Sequence, residues 1–320
     1  TSKYDKNIFN WLNKKNKYSK NFVKLKYGEN PNQNSSYYFS DNKNNLLDSK
    51  LNGKEIGYNN ILDLDAGINC INEFKEPTCV IIKHTNPCSV ASCETISKSF
   101  KKALDANPIS AFGGVVIFNK IIDNKLAETL NKNFFELIAA KDFTKDAINI
   151  LSKKKRLILI KTKKLKINNW DETKFVIGGI LKQEKNNIKI NIRDFKLVSQ
   201  YAASSKKLND LIFAYKVCKH VKSNAIVLVK NKITIGIGAG QMSRLDSTKI
   251  SLKKINKKTN NFVVASDAFF PFTDSLKLLE KKGCKSIIQP KGSINDNKLI
   301  DYANKKKLSL YFTNYRLFKH

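Results

Sequence analysis

The stretch Thr78-Cys-Val-Ile-Ile-Lys-His-Thr-Asn-Pro87 decides how this chain reads. An apolar run, Val80 to Ile82, leads straight into a lysine and the first of only three histidines. Asn86-Pro87 follows. Proline lacks a backbone donor and biases its predecessor away from helix, so the strand is expected to stop there. Open α/β sheets hold ligands at the mouths of their strands, which makes Lys83 and His84 the leading candidates for chemistry. An ammonium beside an imidazole disfavours a second positive charge, and this suits the ring to accepting a proton near neutral pH. Neighbouring strand residues point to opposite faces, so the two meet in one pocket only if the strand bends at its end. The plainer reading is a surface lysine beside a capping histidine.

Outward from this stretch the chain alternates strands and helices. Strands are expected over 79–84, 111–118, 135–139 and 157–161, with helices near 91–105 and 144–153. This is the βαβ rhythm of a parallel or mixed sheet covered on both faces. A second half follows the strand 176–181. It has a helix over 208–220, a hairpin turning at Lys230-Asn231-Lys232, a loop Gly236-Ile-Gly-Ala-Gly240 and a helix over 246–254. A strand over 262–266, a helix over 274–282 with Thr273 as N-cap, a strand over 286–289, a helix over 296–304 and a strand over 308–312 complete it. No repeat is visible as sequence identity, although both halves have similar α/β content.

At 320 residues two domains of ordinary size fit best. Nothing approaches the roughly 18 apolar residues that a membrane span needs. Six cysteines include no C-x-x-C pair and no histidine at metal-ligand spacing, so free thiols in a reducing compartment are expected. The formal net charge of +32 would ordinarily point to nucleic acid. Its make-up argues against that partner, because 59 basic residues include only Arg156, Arg193, Arg244 and Arg316. Lysines are spread from end to end among asparagines, with no basic, aromatic-interleaved motif. Where lysine is used so freely, a retained guanidinium is informative for its planar, two-pronged geometry. Tyr4 to Tyr18, with Ile8, Phe9, Trp11 and Leu12 among lysines, reads as a short docking helix, although transit peptides share that composition.

Gly236-Ile-Gly-Ala-Gly240 matches neither dinucleotide nor P-loop spacing. Its glycines would let backbone approach a ligand, with Arg244 near a helix start to meet an anionic group, or they form a tight packing loop. Asp267-Ala-Phe-Phe-Pro-Phe272 offers a flat apolar wall for a heteroaromatic ligand, or a plug in the core. Asp274 could accept from a nitrogen heterocycle or assist a helix N-terminus. Arg316 is a candidate phosphate ligand or a partner for a carboxylate. His220 lies on an amphipathic helix and reads as a packing residue.

Together, six segments in register resemble one family, the transformylase portion of the bifunctional purine-biosynthesis enzyme that joins AICAR transformylase to IMP cyclohydrolase. They are Lys26-Tyr-Gly-Glu-Asn-Pro31, Leu62-Asp-Leu-Asp-Ala-Gly67, Ile82-Lys-His-Thr-Asn-Pro-Cys88, Pro108-Ile-Ser-Ala-Phe-Gly-Gly114, Gly236-Ile-Gly-Ala-Gly-Gln-Met-Ser-Arg244 and Ser266-Asp-Ala-Phe-Phe-Pro-Phe272. The match runs from near Tyr4 to His320, without the cyclohydrolase domain that normally precedes it, so cyclohydrolase activity is not expected. The resemblance implies an α/β fold of two cytidine-deaminase-like, three-layer subdomains with mixed sheets, over 21–165 and 166–320, after a helical segment over 1–20.

It further implies transfer of the formyl group of 10-formyltetrahydrofolate to the 5-amino group of AICAR, in the cytoplasm, by a homodimer with shared active sites. The expected partners are thus a small nucleotide and a folate, without nucleic acid or membrane. No catalytic metal is implied, and the monovalent cation requirement stays open. By motif, His84 would be the general base, Lys83 would stabilise the developing oxyanion or protonate the folate nitrogen, and Asn224 would hold the formyl or carboxamide group. Lys26, Tyr27, Gly113, Glu136, Arg244 and Arg316 would grip the ribotide. Leu245, Phe269, Asp274, Ser293 and Ile294 would line the folate site. Three departures stand out. Lys26 replaces a usual arginine, Asn32 a usual histidine and Lys291 a usual glycine, the first costing a forked phosphate grip.

Overall fold

The computed structural model describes residues 22–39, 45–163, 165, 171–255 and 259–320, so the helix expected over 1–20 lies outside the described residues. The fold is mixed α/β. Twelve strands form one mixed sheet, and among the described residues nine α-helices accompany it. No helix among them is long and apolar enough to cross a membrane. All six cysteines are unpaired, and burial pushes the Cys70, Cys79 and Cys218 thiols up.

From its outer edge inward, the first half of the sheet runs Lys50–Asn52, Ile158–Lys161, Leu137–Phe143, Val115–Ile122, Thr78–Lys83 and Asn86–Ser92. The second half, also from its outer edge, runs Lys196–Leu197, Ser309–Thr313, Cys284–Pro290, Phe262–Ser266, Ile226–Lys230 and Ile233–Gly238. In each, an antiparallel edge strand leads to three parallel strands and then an antiparallel hairpin. The order of elements along the chain is also the same, so the repeat that identity hides is plain in the topology. The two innermost strands join antiparallel, with Ile233 opposite Ala91. The Thr234 hydroxyl secures the seam by accepting from Val90 N–H at 2.8 Å and donating to Val90 O at 3.2 Å.

Helices cover both faces because the central strands, such as Thr78–Lys83, Ile226–Lys230 and Phe262–Ser266, are buried at nearly every position and mostly apolar. On one face a single core crosses the seam under helices Tyr58–Ile71 and Ser205–Cys218, through Leu64, Cys70, Leu211 and Tyr215. On the other face each half keeps its own cluster, centred on Phe100 and Leu126 in one and Leu276 and Leu299 in the other.

Several local expectations are corrected. The first strand does end at Lys83, but Asn86-Pro87 opens the return strand of a two-residue hairpin instead of stopping the run. The helix expected from residue 91 therefore begins at Ile96, where the Thr95 hydroxyl accepts from Lys98 N–H. Helices Tyr58–Ile71 and Asn124–Asn131 were not anticipated. Thr273 stands at the N-cap position without a side-chain bond. Gly236 and Gly238 lie within a strand, not a ligand loop. A methyl group on either would collide with the Ser251 or Ser247 carbonyl oxygen of helix Arg244–Lys253. The glycines are there for helix-on-strand packing.

A buried ionic group also ties the halves. Glu73 Oε1, just past helix Tyr58–Ile71, lies 2.8 Å from Lys219 Nζ and 3.2 Å from His220 Nε2. Burial opposes the Glu73 charge, but His220 and Lys219 outweigh it and hold the carboxyl below its ordinary value. Burial holds the His220 imidazole below its ordinary value against the pull of Glu73, so the ring bonds as a neutral donor. His220 is thus a tether between the halves more than a packing residue.

Two outcomes are expected. As pH falls below about 6.5, unfolded His220 takes up a proton that the folded ring resists, so stability drops. The urea midpoint should fall between pH 7 and pH 5, and less steeply in His220→Gln; below about pH 4 protonation of Glu73 adds a further loss. Gly238→Ala should cost about 1–3 kcal/mol by overpacking, whereas Gly179→Ala, with open space around it, should be near neutral in the same titration.

Candidate active site

The sequence-selected residues that follow or precede strands of the twelve-stranded sheet, from Lys83 and His84 to Arg316, fall on one edge of it. The edge is built differently in the two halves. In the second it holds the carboxyl ends of the parallel strands Phe262–Ser266, Cys284–Pro290 and Ser309–Thr313, where such sheets ordinarily hold ligands. In the first, Thr78–Lys83 runs antiparallel to Val115–Ile122, so Lys83 meets the amino ends of that half's parallel strands. Lys83 therefore stands at the end of its half opposite to the carboxyl-end placement expected for it.

Lys83 Nζ donates to Phe112 O at 3.0 Å and Gly113 O at 3.1 Å. An ammonium has three donors, so one remains for an incoming oxygen. Gly113 adopts φ 64°, and a methyl group there would stand 3.3 Å from Lys83 Nζ. His84 and Thr85 form the hairpin turn with φ 51° and 63°. Both central residues of a two-residue hairpin need positive φ in its commonest form. For a histidine and a β-branched threonine this costs on the order of 1–3 kcal/mol each. The strand thus bends sharply after Lys83, as joint action of the pair requires, and the His84 ring is exposed. Asp63, on helix Tyr58–Ile71, accepts Thr85 N–H at 2.6 Å. Burial holds its carboxyl above the ordinary value, against a partial downward pull from the Thr85 N–H, His84 and Lys83.

Glu136 begins the next turn of the edge and pairs with Lys54 at 2.5 Å, a partner that no sequence signal marked. Lys26 and Tyr27 follow strand Phe22–Leu25 and are exposed, with the Lys26 ammonium 5.9 Å from the Tyr27 ring centroid. Their loop is closed by Gln33, whose carbonyl accepts Gly28 N–H, and docks through Asn59 on Glu29 O.

The second half supplies a cleft of about 420 Å³ that gathers Asn224, Arg244, Leu245, Phe269, Asp274 and Arg316. Arg244 is 7% exposed, and its Nη1 donates to Asp267 at 2.5 Å and to Ser266 Oγ at 3.0 Å. Its Nη2 donates to Asn224 Oδ1 at 2.7 Å, leaving two of five donors for a ligand. Asn224 Nδ2 is spent on Gln241 O and Met242 O. The second lone pair of Oδ1 remains, so Asn224 is set up to accept from a ligand N–H and not to donate to an oxygen.

Arg316 is exposed and pairs with no carboxylate among the described residues. It lies 5.1 Å from the Phe269 ring and 5.9 Å from that of Phe318, stacked and open to an anion. Asp274 Oδ1 accepts Ser275 N–H at the helix start. Ser293 and Ile294 stand beside the cleft, in a loop fastened when Asn295 donates to Pro271 O at 2.8 Å.

Asp267 is fully buried and holds Ser223 Oγ at 2.6 Å as well as Arg244. The Asp-Ala-Phe-Phe-Pro motif marked it as present without revealing that it anchors the guanidinium. A larger cleft of about 690 Å³ opens on the opposite edge and contains none of the sequence-selected residues. Among the described residues no group of three His, Cys, Asp or Glu side chains is placed to hold a metal ion.

A family model described as AICARFT/IMPCHase bienzyme matches residues 1–254. The bifunctional purine biosynthesis protein PurH of Caldicellulosiruptor saccharolyticus is 46% identical over 303 residues, covering 93% of this chain and 59% of that protein. PurH of Persephonella marina is 44% identical over 309 residues, covering 92% and 59%. PurH of Buchnera aphidicola subsp. Baizongia pistaciae is 42% identical over 347 residues, covering 100% and 66%. The chain spans 59% to 66% of the length of these curated relatives. With motifs, fold and family model in agreement, this chain belongs to the AICARFT/IMPCHase bienzyme family.

Proposed function

We propose that this chain transfers the formyl group of 10-formyltetrahydrofolate to the 5-amino group of AICAR, giving the formamido ribotide and tetrahydrofolate. The observation that carries the reading is the shared sheet edge, where a bent Lys83-His84 turn and an arginine-bearing aromatic cleft lie along one line. The repeated unit is read as a deaminase-like three-layer subdomain, the first over 21–165 and the second over 166–320.

The ring-bound amine is a weak nucleophile and must lose a proton as its nitrogen bonds to the formyl carbon. His84 takes that proton, directly or through the carboxamide. The free N–H of Lys83 stabilises the formyl oxygen as it gains charge, or protonates the folate nitrogen as its bond to the formyl carbon breaks. Asn224 Oδ1 accepts from the carboxamide or amine N–H and so orients the acceptor. Arg316, held between two rings, meets the ribotide phosphate, with Lys26, Tyr27 and Gly113 beside it and the second Glu136 oxygen open to ribose hydroxyls. Phe269, Leu245 and Asp274 suit the flat, nitrogen-rich end of a folate, with Ser293 and Ile294 at its margin.

The ribotide residues are far apart within one chain. Eight strand spacings of roughly 4.8 Å separate the strand after Glu136 from the strand before Arg316, beyond the reach of one nucleotide. This supports a homodimer in which each site draws on both copies.

His84→Ala should lower ribotide-dependent release of tetrahydrofolate by about 100-fold or more, in line with loss of a general base. Full turnover in that variant would remove the assignment. Mixing Glu136→Ala with Arg316→Ala chains should restore about a quarter of the wild-type sites if subunits exchange residues across a two-fold interface. Sites confined to one chain would recover none.

A further inference from the structure

We propose that Asp63 and Asn86 are positioning residues for His84, clamping the left-handed turn that aims the imidazole. The proposal rests on the formyltransferase reading. The His84 ring makes no hydrogen bond to any described residue, so its direction is set by the backbone beneath it. That backbone is held from three sides. Asp63 takes Thr85 N–H at 2.6 Å, and the Thr85 hydroxyl donates to His84 O at 2.7 Å. Asn86 faces two ways: Nδ2 donates to His84 O at 3.2 Å, while Oδ1 accepts Lys222 N–H at 2.9 Å. Lys222 lies two residues before Asn224. One side chain therefore sets the spacing between the ring and the amide that would orient the acceptor.

The second half contains the same clamp without the chemistry. Asp63 is the sixth residue of the 14-residue helix Tyr58–Ile71, and Asp210 is the sixth of the 14-residue helix Ser205–Cys218. Asp210 accepts the N–H groups of Asn231 and Lys232 at 2.9 and 2.7 Å, and these turn residues also have positive φ, 54° and 56°. Lys230 ends its strand as Lys83 does and donates to Asn260 O at 2.8 Å, next to Asn261 with φ 58°. That turn lies on the opposite edge. The carboxylate-to-turn bond thus belongs to the repeated unit, and the first half uses it to hold a histidine where the second holds an asparagine.

The test compares Asp63→Ala, Asp63→Asn, Asn86→Ala and Asp210→Ala in the whole chain. Asp63→Ala and Asn86→Ala should lower kcat by about tenfold to 100-fold through misplacement of the ring, with KM for both substrates near wild type. Asp63→Asn, which keeps an oxygen for Thr85 N–H, should recover most of that loss. Asp210→Ala should lower the unfolding midpoint and leave kcat at the wild-type level. If Asp63→Asn is as slow as Asp63→Ala, the carboxylate acts through its charge and the clamp is overturned; wild-type kcat in Asn86→Ala overturns the role of that residue. Asn86→Ala and Asp63→Asn carry the test if Asp63→Ala fails to fold. Amide exchange at Thr85 separates the clamp from the reaction. Should the wild-type chain transfer no formyl group, the formyltransferase reading falls, while Thr85 protection that survives Asp63→Ala would still overturn the clamp.

Discussion

Thr234 and Val90 exchange two hydrogen bonds at the centre of the sheet, where strands Asn86–Ser92 and Ile233–Gly238 meet. Because the two strands run antiparallel, the start of one shares an edge with the end of the other. That single geometric fact brings the His84 turn, Asn224 and the aromatic cleft onto one line. A parallel seam would have sent the second half's loops to the far side. The core that crosses the seam beneath helices Tyr58–Ile71 and Ser205–Cys218 makes the arrangement stiff, and the Glu73, Lys219 and His220 group locks it from the side.

On this frame the polar groups of the site are arranged at a cost. Arg244 and Asp267 are both withdrawn from water, and a buried pair of this kind gives little net stability compared with apolar packing. Losing one partner would be far worse, about 3–5 kcal/mol, because a charge would be left unpaired in the interior. What the pair supplies is direction. Its guanidinium fixes Asn224 Oδ1, and the same carboxylate reaches Ser223 Oγ, so two consecutive residues of the loop, Ser223 and Asn224, are tied to one buried oxygen pair. By contrast Arg316 makes no hydrogen bond or ion pair among the described residues and is steadied there by the faces of two phenylalanines. The two arginines that a lysine-rich chain retained here do different physical work.

Much of the fold was legible. Runs such as Val80 to Ile82 and Phe262 to Ala265 are apolar at every position because helices cover both faces, and glycine, proline and asparagine mark most of the turns. The helix Tyr58–Ile71 escaped notice because Leu62-Asp-Leu-Asp65 alternates like a strand, and only tertiary burial of Leu64 and Cys70 resolves the ambiguity. The hairpin at His84-Thr85 was hidden for a related reason. Neither residue favours positive φ, so no local preference announces the turn; it is imposed by Asp63 from a distant helix. Gly236 and Gly238 were visible as unusual but not as packing devices, since the helix they admit lies beyond the reach of a local pattern. The residues proposed for the site stand out in the sequence more readily than their supports. Lysine, histidine and arginine carry chemical labels, whereas Asp267, Asn86 and Lys54 act through partners that only three-dimensional structure supplies.

Gly236 and Gly238 let helix Arg244–Lys253 ride directly on the backbone of its strand, with no side chains as a cushion between them. Arg244 is the first residue of that helix, so its height above the sheet follows from this close main-chain approach and from the bond of the Ser247 hydroxyl to Asn224 O at 2.7 Å. Such a joint has almost no tolerance and no slack. The guanidinium is registered to the sheet as a pin is to a plate, so the cleft's anchor stands where the sheet puts it.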